Sequence, residues 1–271
     1  MASIDGYFKG KSVLLTGGSS GIGYAAAERL LKAGAEVTLV ARRVAPLEEA
    51  KAKLGSSGSG ARVHTLALDV SREDDVAEKV AAHLAAHPTD VLINNAGVVM
   101  PGRFLELESK HFREMMDINY FGSVNMCRAV IPHLVAKGGG AVLNVSSMAG
   151  IIGIYGYTAY AASKFALYGF SEALRGEMVP HKVQVSVCLP PDTDTPQLAF
   201  ENQYKPKETK AIAGAVKTMS AAAVAEEMLA GVAGGAFTII PGFDGRMTVA
   251  AQRWVPSVVR WYSDMAMKKA K

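Results

Sequence analysis

Ser12-Val13-Leu14-Leu15-Thr16-Gly17-Gly18-Ser19-Ser20-Gly21-Ile22-Gly23 decides how the rest of this chain is read. A short apolar run ending in turn residues reads as a strand buried on both faces. From Gly21 to Ala33 the apolar residues take up a helical period, so the stretch predicts strand, tight turn, helix. Glycines at such a turn let the backbone come close to a phosphate, which rests on the positive end of the following helix. The spacing, Gly17-x3-Gly21-x-Gly23, differs from the commoner Gly-x-Gly-x-x-Gly of dinucleotide sites. Its place directly after the first apolar strand gives it meaning. Gly17, Ser19, Ser20, Gly21, Ile22 and Gly23 are the candidate phosphate contacts.

Working outward, the same alternation repeats. Strands are predicted at 37–41, 63–68, 90–94, 141–146 and 183–189, with helices at about 46–54, 73–86, 108–136 and 157–179. A polar substrate loop covers about 190–218, and a last helix–strand pair spans 221–240. Continuous apolar strands between helices mean a parallel sheet covered on both sides. The expectation is an α/β, doubly wound, Rossmann-like sheet of about seven strands, in a single domain over 1–271. Ile152, Ile154, Leu198, Phe200, Val98, Val99, Met100 and Ile151 could line an apolar trough or could be ordinary core.

Composition narrows the function. The 271 residues are 49% hydrophobic, which excludes a disordered chain. Against 29 basic residues stand 25 acidic ones, a net charge of +4 with no long block of either sign, so no nucleic-acid partner is expected. Two cysteines, Cys127 and Cys188, cannot build a disulfide framework, and no metal site is read from the sequence. No signal sequence or 18-residue apolar span is visible, so a cytoplasmic location is expected. The amphipathic tail over about 246–271 contains Trp254, Trp261 and Tyr262 and ends in lysines. Such a segment can lie on a membrane surface as a peripheral contact, or pack on a subunit or the substrate loop.

The end of the second strand usually selects the nicotinamide cofactor, a carboxylate there holding a ribose 2′-hydroxyl. Nineteen residues past Gly23 stand Arg42 and then Arg43. Two guanidinium groups suit a 2′-phosphate instead, so NADP(H) is favoured. Asp69 and Val70 follow the third strand, and Asn94 and Asn95 the fourth, where adenine or ribose would lie. Asp69 could equally cap a helix, and the asparagines could hold a turn.

Tyr160 and Lys164 are four residues apart in a helical segment and share a face. Ser147 lies just past the fifth strand, and Asn119 within the long predicted helix. Carbonyl reduction needs a hydride donor, a proton donor and a group that polarises the oxygen. A tyrosine can give the proton if a nearby ammonium draws its pKa down from ≈ 10. Ser147 can donate to the carbonyl oxygen, and Asn119 can hold a relay water. Singly, each residue has an ordinary explanation as a helix contact, a cap or a solvated amide.

Together they resemble the short-chain dehydrogenase/reductase superfamily: the glycine turn, Asn94-Asn95-Ala96-Gly97, Asn119, Ser147 and Tyr160-x3-Lys164 match its pattern over about 10–245. The resemblance implies Tyr160 as general acid, Lys164 as its electrostatic partner and ribose ligand, Ser147 as carbonyl donor and Asn119 as relay support. It also implies a threonine, Thr193 or Thr195, against the nicotinamide, and a homodimer or homotetramer pairing the helices near 108–136 and 157–179. Pro190-Pro191-Asp192-Thr193-Asp194, Lys205-Pro206-Lys207-Glu208-Thr209 and Gly242-Phe243-Asp244-Gly245 look closest to the 3-ketodihydrosphingosine (3-dehydrosphinganine) reductases. That resemblance implies NADPH-dependent reduction of a long-chain keto-base, 3-dehydrosphinganine to sphinganine. The alternative is another carbonyl substrate: a steroid, an acyl thioester or a general ketone. Pro191 and Pro46 depart from the family pattern, and Arg43 could replace the lysine expected at 46.

Overall fold

A computed structural model describes residues 3–56, 62–213 and 218–269. The chain opens with a short helix α1 (Ile4–Phe8) not foreseen from the sequence, then runs β1 (Ser12–Thr16), α2 (Gly21–Lys32), β2 (Glu36–Ala41), α3 (Val44–Leu54), β3 (Val63–Ala67), α4 (Glu73–Ala86) and β4 (Val91–Asn94). Next come α5 (Ser109–Met115), a π-helical turn at Met116–Phe121, α6 (Gly122–Ala136), β5 (Gly140–Val145), α7 (Thr158–Met178) and β6 (Val183–Cys188). The remainder holds β7 (Thr193–Asp194), α8 (Pro196–Tyr204), α9 (Lys207–Ala213), β8 (Met219–Ser220), α10 (Ala221–Ala233), β9 (Thr238–Ile239), α11 (Phe243–Trp254) and α12 (Pro256–Lys269). The predicted Gly55–Gly60 loop falls largely outside the described residues.

Seven strands form one parallel sheet in the order β3-β2-β1-β4-β5-β6-β9. The order reverses between β1 and β4, and ligands of such sheets bind beyond the strand ends at that point. The pleat sends successive side chains to opposite faces. Val13 and Leu15 enter a core with Leu30 of α2, Leu47 of α3 and Met228 of α10. Leu14 enters the other core with Val80 of α4 and Met126 and Leu134 of α6. Both faces are therefore dry, which is why the strands read as continuous apolar runs.

Three expectations need correction. The helix predicted over 108–136 is divided by the π turn, whose extra residue places Asn119 inside the molecule at 0% exposure. Such turns are single-turn insertions that re-aim side chains. The polar loop predicted over 190–218 contains α8, α9 and the miniature pair β7–β8, registered Thr193↔Met219 and Asp194↔Ser220. The third is a matter of detail: the tail is two helices, α11 and α12, with α11 starting at Phe243, and α12 packs on α9 of the substrate segment, one of the positions the sequence allows.

Candidate active site

At the end of β1 the backbone turns through Gly17 with φ +67° and Gly21 with φ +55°, a region side chains other than glycine avoid. A Cβ on Gly23 would stand 2.3 Å from the Gly17 carbonyl oxygen, so strand and helix meet with no room for a side chain. Asn95 donates to the Thr16 and Gly17 carbonyls, both at 3.1 Å, and Thr16 Oγ1 accepts from Asn95 N and Ala96 N. These bonds fix the glycine turn to the end of β4 across the switch point. Asn94 lies deeper and donates to Asn144, so it is a core amide rather than a site residue.

Ser20 occupies the N-cap of α2 without a side-chain cap, whereas Thr195 caps α8 and Ser220 caps α10 through their hydroxyls. The first amides of α2 are thereby left for an anion. This cradle fits a dinucleotide pyrophosphate. Gly17, Ser19, Ser20, Gly21 and Ile22 line the large cavity beside it; Gly23 packs behind the turn.

Arg42 and Arg43 are exposed at the carboxyl end of β2, outside the cavity wall. Arg42 lies 3.8 Å from Asp69, a partly exposed pair that a phosphate can displace. Asp69 accepts from both the amide and hydroxyl of Ser71, a turn ahead of α4 rather than the helix cap expected as its alternative, since the N-cap of α4 is Arg72. Val70 is 6% exposed and packs on Gly122, so its side chain belongs to the core and only its backbone could meet a ligand.

The cavity has a volume of about 780 Å³ and lies at the carboxyl ends of the strands. Ser147, Tyr160 and Lys164 all line it. Ser147 caps a 3₁₀ turn at Met148–Gly150 by accepting from Ala149 N at 3.1 Å. Burial, and then the Glu201 carboxylate, push the Tyr160 pKa up, while the Ser147 hydroxyl acts in the other direction. The phenol is consequently protonated at neutral pH. The downward pull expected from Lys164 is not among these influences.

Lys164 is 4% exposed, and desolvation brings its pKa down to about 8. Its ammonium donates to Val145 O at 2.9 Å and lies 5.7 Å from the Tyr160 ring centre. An ammonium has three donors, so others remain for a ligand.

Asn119 works differently from expectation. Its Oδ1 accepts from Val98 N at 2.8 Å, and its Nδ2 donates to Val98 O at 3.0 Å and Ser163 Oγ at 2.9 Å. The amide is a strut between the chain leaving β4 and α7; both its donors are used, and Oδ1 keeps one acceptor position. Thr193 and Thr195 both line the cavity, and Thr195 touches the Gly21 turn.

Of the trough candidates, Ile152, Ile154 and Leu198 line the cavity; Val99 is buried, and Phe200 is 41% exposed outside it. Residues not foreseen complete the wall. Val255, Val258, Val259 and Met267 from the tail form an apolar side, and Tyr157, Asp192, Glu201 and Lys205 form a polar one. The helical spacing of Val255, Val258 and Val259 was the available signal. Elsewhere, at the amino-terminal edge of the sheet, Glu36, His64 and His87 bring ligand atoms within 4.8 Å of one another.

A glycine cradle at the switch point, with serine, tyrosine and lysine converging beside it, defines a nicotinamide-type oxidoreductase, and the chain belongs to the short chain dehydrogenase family, whose profile matches residues 11–206. Within it, 3-dehydrosphinganine reductase of Danio rerio is 42% identical over 245 residues, 89% of this chain and 74% of that protein. The 3-ketodihydrosphingosine reductase of Bos taurus is also 42% identical, over 88% of this chain and 73% of its own. Among solved structures, a short chain dehydrogenase from Burkholderia cenocepacia J2315 in complex with NADP superposes with a TM-score of 0.80 at 26% identity, covering 94% of this chain and 98% of that one.

Proposed function

We propose that the protein reduces the C3 ketone of 3-dehydrosphinganine to sphinganine with NADPH. The observation that carries this reading is the convergence of Ser147, Tyr160 and Lys164 on a cavity with a long apolar side. The 42%-identical relatives named for that reaction supply the substrate. The glycine turn and the free amides of α2 would hold the pyrophosphate, Arg42 and Arg43 the 2′-phosphate, and Lys164 the nicotinamide ribose. When bound, NADPH supplies the hydride. Ser147 donates to the ketone oxygen and fixes its distance from Tyr160. Tyr160, kept as a neutral phenol by burial, gives that oxygen its proton, so hydride and proton together convert ketone to alcohol.

The tail contacts a lipid surface in this reading. Trp254, Trp261 and Tyr262 are all more than half exposed and stand among Arg253, Arg260 and Lys268. Among the described residues no helix is long and apolar enough to cross a membrane. Exposed Phe121 on the π turn and Phe165 on α7 support self-association along these helices, testable by light scattering.

The test of the reaction is NADPH consumption by purified protein with 3-dehydrosphinganine in mild detergent, beside an NADH arm. Turnover with NADPH is expected. Turnover of other ketones alone would discard the substrate and keep the chemistry.

A further inference from the structure

The polar side of the cavity has an imbalance of charge. Glu201, on α8, is 9% exposed, and its Oε2 accepts from the Tyr157 hydroxyl at 2.7 Å. Lys205, with a side chain only 4% exposed, places its ammonium 3.1 Å from Asp192 and 3.9 Å from Glu201. Two carboxylates thus share one cation, and Lys205 is the nearer to Asp192. Among the described residues Glu201 Oε1 has only the Gln197 amide, at 3.5 Å. A carboxylate offers about four acceptor positions, so Oε1 has capacity to spare toward the cavity.

An apolar trough gains nothing from such a group. Burying a carboxylate costs free energy that a well-packed apolar side chain would not. Burial pushes the Glu201 pKa up accordingly. Glu201 and Asp192 also make Tyr160 a weaker acid, which opposes the proton transfer the site performs. Tyr157 and Tyr160 stand ring against ring, 5.9 Å between centroids, so the carboxylate bonded to Tyr157 lies close behind the proton donor. The cost is recovered only if the occupant brings a positive charge to this wall.

We propose that Glu201, supported by Asp192, receives a protonated amine carried next to the reacting carbonyl, so that this site selects amino ketones over neutral ketones of the same length. The inference rests on the proposed reaction and deepens it by assigning the residue that reads the amine. An ammonium beside Glu201 would offset the field that the two carboxylates exert on Tyr160. Selection then enters at the proton transfer as well as at binding, because only a cationic occupant restores the acidity of Tyr160.

The test uses the full chain with NADPH and two ketones, 3-dehydrosphinganine and 1-hydroxyoctadecan-3-one, which lacks the amine. Wild type should prefer the amino ketone. Glu201→Gln keeps an acceptor for Tyr157 and removes the charge. Its kcat/KM should fall on the order of ten- to a hundred-fold for the amino ketone, the scale of a hydrogen bond to a charged group, and change little for the other. Glu201→Asp, which keeps the charge, should retain much of the preference. NADPH fluorescence reports whether each variant is folded. Equal losses on both ketones, or no loss on either, would overturn the inference, as would a wild type that reduces both equally well. A wild type that reduces the deaminated ketone alone would overturn the proposed substrate too, and one that reduces neither would remove the reaction itself.

Discussion

Tyr160 and Ser147 line the same cavity, so the proton donor and the group that orients the oxygen are already side by side in the fold before any carbonyl arrives. Tyr160→Phe removes the only proton on that path, and turnover should fall at least a hundred-fold while NADPH affinity stays within a few-fold, read by stopped-flow and fluorescence titration. Unchanged turnover would take Tyr160 out of the mechanism. Arg42→Ala should weaken NADPH by ~1.5–3 kcal/mol, the value of a charge-assisted hydrogen bond, and spare NADH. Equal weakening of both cofactors would sink the phosphate role. These residues were legible because each sits at a strand end or at helical spacing from another. Glu201 and Lys205 were not, because the reason for them is a pairing with Asp192 and Tyr157 across the fold, which no local pattern encodes.

Among the elements, the strands and most helices followed their periods, the helix expected over 108–136 excepted, and β1 and α4 fall where the sequence put them. The segment read as a polar loop failed because α8 has no well-defined apolar face; Leu198 and Phe200 stand among polar residues. Its start was nevertheless written as Thr195-Pro196, a cap followed by a proline at the first helical position. The π turn was hidden for another reason, since its cause is the set of bonds Asn119 makes with Val98 and Ser163. At the end of α4, burial lowers the His83 pKa to about 4, with the neighbouring charges of His87 and His64 adding to the effect and Glu36 opposing it. The folded state then binds this proton less readily than the unfolded chain, whose histidine titrates near 6.5. Stability from this group is whole above pH 6.5 and declines as pH falls toward 4. Thermal unfolding across that range should show a shallower decline in His83→Gln, which still offers Thr38 a partner; identical slopes would refute the assignment.

On the scale of the whole molecule, sheet order places the cradle and the catalytic trio at one end, and the tail helices close the apolar side of the cavity there. A lipid surface held by that tail would stand at the mouth through which a long chain enters. Trp254→Ala should lower partition onto vesicles of mixed zwitterionic and anionic lipids several-fold, measured by co-sedimentation; unaltered partition would remove the tail from membrane contact. The sequence exposed the tail's amphipathic character and offered the substrate loop as one of its partners, but the choice among partners depends on α12 meeting α9.

The two-residue pair of β7 and β8 has a consequence of its own. Thr193 and Asp194 lie beside Met219 and Ser220, so the two ends of the segment that carries α8 and α9 meet at nearly the same point. Its ends are already joined, and lengthening or exchanging what lies between them would transmit little strain to the parallel sheet. The segment that carries Glu201 and Lys205 is therefore joined to the sheet at a single place, and changes of length within it leave the strand order of the parallel sheet untouched.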